Sequence, residues 1–199
     1  MKPTLPKFCL FAVGACFIWS AWHPHDTFTW FLEVAPVLIG LPLACVFHQK
    51  YRLTQLLIVL ISLHAIILMV GGHYTYAEVP LFDTFREWFG WSRNHYDRVG
   101  HFAQGFVPAI LIREWFIRVK ATNRYLFLIT VCGCLAFSAF YELIEWAVAI
   151  STGTAAEAFL GTQGDPWDTQ NDMFLALCGA ILAQLFLARY HQKQLAQLA

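Results

Sequence analysis

Tyr96-Asp97-Arg98-Val99-Gly100-His101-Phe102 stands at the mouth of an apolar run that continues to Ile117. Whether that run crosses a membrane decides the fold, because charge placed where hydrocarbon begins marks either a helix end or a site. The surrounding chain favours the membrane. Of its 199 residues, 58% are hydrophobic and only 13% charged, and the mean hydropathy of +0.53 is too apolar for an ordinary water-soluble domain. A net charge of zero leaves no broad basic or acidic surface and excludes nucleic acid as a partner on electrostatic grounds.

Five further runs accompany the one after Tyr96. Phe8 to Trp22 follows Lys2 and Lys7 in the manner of a signal sequence, but Ser20-Ala21-Trp22 is a poor cleavage site, so the run reads as an uncleaved first helix. Thr29 to Phe47, kinked by Pro36 and Pro42, and Leu53 to Tyr74 each approach the ~20 residues a spanning helix needs. His101 to Ile117, Tyr125 to Ile150 and Asp168 to Tyr190 complete the set. Between Thr75 and Gly100, Pro80 opens a segment whose Phe82, Phe85, Trp88 and Phe89 recur at helical steps, with Asp83, Arg86 and Glu87 on the other side, which is the pattern of an interfacial helix. The expectation is therefore an all-α transmembrane bundle of six spans, one integral domain over residues 1–199, with a short surface helix in its third loop. No internal repeat or low-complexity tract divides it. The six cysteines fall inside apolar runs and read as packing residues.

Basic residues give an orientation. Ten of the thirteen Lys and Arg, from Lys2 and Lys7 to Arg189 and Lys193, fall on one side of such a bundle, which places both termini in the cytoplasm and the Tyr96 stretch at the outward face. Two other stretches share that face: Tyr141-Glu142-Leu143-Ile144-Glu145-Trp146, and Gly164 to Asp172. Asp97 and His101 are four apart, Glu142 and Glu145 three, and Asp168 and Asp172 four, so each pair shares a helix side. The opposite halves of the runs hold almost nothing ionisable. Capping accounts for Asp97 or Asp168 taken alone, and a neutral core histidine for His101. Glu142 and Glu145 resist such accounts, because an acid inside a span costs on the order of 2.5 to 3.5 kcal/mol unless partnered. His64, mid-run, needs only a hydrogen bond between helices, and Glu33, His73, Tyr74 and Tyr76 lie at compatible depth for a pocket wall.

With these motifs in view, the chain resembles the YjdF-type bacterial inner-membrane proteins. The likeness is most specific in Leu68 to Tyr76, Tyr96 to Gly105, Tyr141 to Trp146 and Gly161 to Phe174. It implies a multi-pass protein of the bacterial inner membrane and supplies no reaction. A looser likeness reaches to VanZ-like membrane proteins, in which Asp97, Arg98, His101 and Phe102 resemble an Asp-Lys-x-x-His-Phe opening, Glu142 a buried Glu, and Asp172 with Gly179 a late Asp and glycine; Arg98 and Ala176 depart from that pattern.

The functional expectation is an outward-facing intramembrane site. Its catalytic candidates are Glu142, Glu145, His101 and Asp172, its substrate-binding candidates are Arg98 and Tyr141, and Asp97, His101, Glu142, Asp168 and Asp172 are candidate ligands of a divalent cation such as Mg, Mn or Zn. Because Arg98 can fork onto a phosphate, a lipid-linked phosphate or headgroup from the outer leaflet is the substrate class. Two other classes compete: a non-enzymatic scaffold whose acids form a structural ion-pair network, and a proton- or ion-coupled transporter.

Overall fold

The computed structural model describes residues 4–121, 124–153 and 157–198, which leaves Lys2 and part of the loop from Ser151 to Trp167 outside the described residues. The order of elements is α1 (Thr4–Ala21), α2 (Thr27–Tyr51), α3 (Gln55–Tyr74), a 3-10 turn (Tyr76–Glu78), α4 (Pro80–Phe89), α5 (Tyr96–Arg118), α6 (Leu126–Thr152), the short α7 (Glu157–Leu160) and α8 (Asp168–Ala196), with no strand among the described residues. Local chemistry sets several of the ends. Asp26 caps α2 by accepting from the Thr29 N–H at 2.6 Å, and Thr54 caps α3 through Leu57. Pro80 opens α4 and Gly90, at φ +64°, closes it.

Four helices are long and apolar enough to cross a membrane: α2, α3, α6 and α8. This corrects the expectation of six spans. The Phe8 to Trp22 run is the apolar stretch Leu5–Ala21, too short to qualify. The His101 to Ile117 run belongs to α5, whose 23 residues are long enough but whose His101, Gln104, Arg113 and Glu114 dilute the apolar pattern. Its polar residues are turned inward. Asp97, His101, Gln104 and Glu114 are all buried, because α8, α6 and α3 pack around α5. Enclosed in this way, α5 does not need the apolar composition of a helix that meets lipid on every side.

The closest crossing is that of α5 with α8. A Cβ on Gly105 would overlap the Ala176 carbonyl, and one on Gly179 would overlap the Phe102 carbonyl, so the two backbones touch. Ala109, Ala180 and Ala183 continue the small-residue seam into a buried cluster with Leu57, Ile110 and Cys134. This seam brings the first turns of α5 and α8 together, and with them Asp97, His101 and Asp172.

Candidate metal centre

His101 stands at the middle of a buried polar cluster. Its Nε2 lies 3.4 Å from Asp97 Oδ1 and 3.9 Å from Asp172 Oδ2, and its Nδ1 lies 3.7 Å from Glu142 Oε1. Asp97, His101 and Asp172 each offer one ligand atom, and these atoms fall within 4.8 Å of one another. Ligands held at about 2.1 Å from one ion sit roughly 3 to 4 Å apart, so the three form a buried group able to coordinate a cation. Two observations support that chemistry. Glu142 Oε1 and Asp172 Oδ1 are buried without a hydrogen-bond partner. Nδ1 of His101 sits 3.0 Å from Gln104 Oε1, and donating to that oxygen leaves the Nε2 lone pair facing two carboxylates, which a cation would reconcile.

The neighbouring candidates divide. Asp168 is buried but bonded to Arg93, whose guanidinium also lies 3.6 Å from Asp97 and donates to the Gly161 carbonyl at 3.2 Å. Arg93 is 4% exposed and ties the start of α8, the loop before it and α5 into one knot. Neither Asp97 nor Asp168 caps its helix; the cap positions are His95 and Trp167, and both acids face Arg93 from the first turn. Arg98 is directed away from the cluster, onto Asp165 at 2.9 Å, and is 30% exposed. The Tyr141 ring lies edge-on to the imidazole of His101 with ring centroids 6.4 Å apart, while Glu145 and Glu33 lie within electrostatic range of it.

The sequence reading passed over Arg93 and Gln104. Gln104 carried a usable signal, following His101 by three residues on one helix side, whereas Arg93 lies in the loop before α5, where helical spacing does not apply. It also passed over a second buried ionic group at the opposite end of the bundle, where the apolar halves were expected to be empty. Glu114, fully buried, accepts from Thr54 Oγ1 at 2.7 Å and from Arg118 at 2.7 Å, and pairs with His191 Nε2 at 2.9 Å. That group joins α3, α5 and α8 and leaves no oxygen of Glu114 unpaired.

A cavity of about 720 Å³ reaches the cluster from one side. Glu33, Tyr76, Asp97, His101, Gln104, Tyr141 and Glu145 line its polar part, and mainly apolar side chains of α2, α3, α5 and α6, with His64 and Lys50 among them, line the remainder.

A family model described as "Predicted membrane protein (DUF2238)" matches residues 5–193. The chain is also similar to the Inner membrane protein YjdF of Escherichia coli (strain K12), with 49% identity over 198 residues that cover 98% of this chain and 94% of the relative. No solved structure matches.

Proposed function

The chain belongs to the DUF2238 family of predicted membrane proteins, and from that footing we propose that it is a multi-pass protein of the bacterial inner membrane carrying an outward-facing divalent-cation site that acts on the phosphate of a membrane lipid. The observation that carries the reading is the convergence of three buried ligand atoms beside two carboxylate oxygens that have no partner. Asp97, His101 and Asp172 hold the ion, with Glu142 and Asp168 at its margin. Such an ion supplies Lewis-acid polarisation of a phosphoryl oxygen. Glu142, with its orphaned Oε1, would accept the proton of a water attacking the phosphorus and return it to the lipid alkoxide that leaves as its P–O bond breaks; Glu145 and Tyr141 line the groove from α6, and Arg98 stands at the outer rim. The outward orientation is supported by the opposite end of the helices, which carries Lys50, Arg52, Arg118, Lys120 and Arg189.

Elemental analysis of the detergent-purified protein tests this. The wild type should hold close to one divalent ion per chain, His101→Gln and Asp172→Asn should lose it, and Gln104→Ala should weaken it roughly 10- to 100-fold by freeing the imidazole it orients. Stoichiometric metal in all three variants, or none in the wild type, would remove the cation from the account. In its place would stand the reading favoured by the Arg93 contacts, a purely structural ion-pair network that fastens α5 to α8.

A further inference from the structure

The cavity that meets the cluster is a groove between α2 and α6, with α5 and α3 as its floor. On α2, Glu33, Val37, Leu41, Ala44 and Phe47 recur at three- and four-residue steps along it, and it continues to Lys50. Seventeen residues of helix separate Glu33 from Lys50, so the groove is about 25 Å long, close to the ~30 Å of bilayer hydrocarbon. Between the polar part and Lys50 its walls are apolar apart from His64. Leu43, Val46 and Phe137 line it and are also exposed at 64%, 64% and 46%, so the groove opens sideways to the lipid rather than upward to water.

Toward its polar end, away from that opening, the groove carries an acid on each of α2 and α6. Glu33 lines it from α2 and Glu145 from α6, and each lies within electrostatic range of the other. The strongest charged neighbours of Glu33 are Asp97 and His101, and those of Glu145 are Glu142, His101, Asp97 and Glu33. No lysine or arginine stands among them. Two acids lining one groove whose further walls are largely apolar are complemented by a small cation carried on something apolar. His64, further down α3, lines the same groove with its Nε2 buried and without a partner, so a polar group of the occupant has a bonding position there as well.

We propose that the groove between α2 and α6 binds one aminophospholipid laterally from the bilayer, its ammonium between Glu33 and Glu145 and one acyl chain running along Gly40, Ala44 and Phe47 toward Lys50. The headgroup phosphate then lies beside the Asp97, His101 and Asp172 group. Only this last placement rests on the cation reading above; the ammonium and chain contacts stand without it. An anionic phospholipid lacks the ammonium and is rejected by the same two acids.

The test uses the full chain in nanodiscs with phosphatidylethanolamine bearing a diazirine in the middle of one acyl chain. Gly40 offers a clean obstruction, since a Cβ there meets nothing within 4 Å and a larger side chain enters the groove without displacing a neighbour. Photolysis should label the groove wall near Leu41, Ala44 and Phe137, and Gly40→Phe and Ala44→Phe should each cut that labelling about tenfold. Unlabelled phosphatidylethanolamine should compete, phosphatidylglycerol should compete about tenfold less well, and Glu33→Gln with Glu145→Gln should erase the difference. Unchanged melting temperature in the four variants confirms that they fold. Labelling spread equally onto the exposed Leu185 and Phe186 of α8, insensitivity to Gly40→Phe, or equal competition by the two lipids would overturn the proposal. Asp172→Asn separates the two readings: labelling that persists while metal is absent from every sample leaves the groove standing and the cation site fallen.

Discussion

Arg93 is the residue on which the arrangement of the site turns. Its guanidinium faces Asp97 and Asp168 and donates to the carbonyl of Gly161, all away from water. Removing a partner from a buried ionic group leaves the remaining charges uncompensated, so Arg93→Met should destabilise the protein by about 3 to 5 kcal/mol, read as a large fall in melting temperature in detergent. Arg93→Lys should recover part of that loss, because an ammonium replaces the charge but not the fork of donors. Asp165, at the rim, makes a prediction of opposite scale. The Trp167 N–H, then the Asn171 amide and the two guanidinium groups, hold its carboxyl below the usual carboxylate range. A depressed folded pKa contributes stability that is complete above the unfolded value of about 4 and is lost as pH falls through the folded one. Limited proteolysis of the loop before α8 should therefore be flat from pH 7 to about 5 and accelerate only below about 4; in Asp165→Asn the acid-dependent step should shrink.

At the scale of elements, the crossing of α5 and α8 decides which residues meet. Gly105→Ala and Gly179→Ala each press a methyl into a facing backbone carbonyl, and both should separate the helices and lower stability by more than about 2 kcal/mol, whereas Gly40→Ala, which meets open space, should be neutral. Thermal melts of the three variants side by side check this. The pairs Asp97 with His101 and Glu142 with Glu145 were legible in sequence because helical spacing is written there directly. Asp172 was grouped with them because the three stretches fall at one end of their helices; the contact that joins the first turns of α5 and α8 is the close approach at Gly105 and Gly179. What sequence could not supply was the partner of each acid. Asp168 and Asp172 share one helix side at identical spacing, yet one meets Arg93 and the other His101, and that choice depends on the loop from Gly161 to Trp167, whose path no periodicity encodes.

For the whole molecule, the apolar character and the four long runs were plain from composition, while α5 was misjudged because hydropathy reports the sum of a helix and not which side is covered. The bundle is fastened by ionic groups at both ends, Arg93 with its acids at one and Glu114 with His191, Thr54 and Arg118 at the other. Glu114→Ala should cost about 3 to 5 kcal/mol through the unpaired His191 and Arg118, yet leave metal content unchanged, since the two groups lie at opposite ends of α5; loss of the ion in that variant would show that the ends are coupled. The shielded position of α5 also bears on how the chain is made. α3 precedes α5 and α6 follows it, but Asp172 beside His101, Asp168 beside Arg93 and His191 beside Glu114 all arrive only with α8, which begins fifty residues after α5 ends. A chain that stops short of α8 therefore leaves the buried ionic groups at both ends of α5 incomplete.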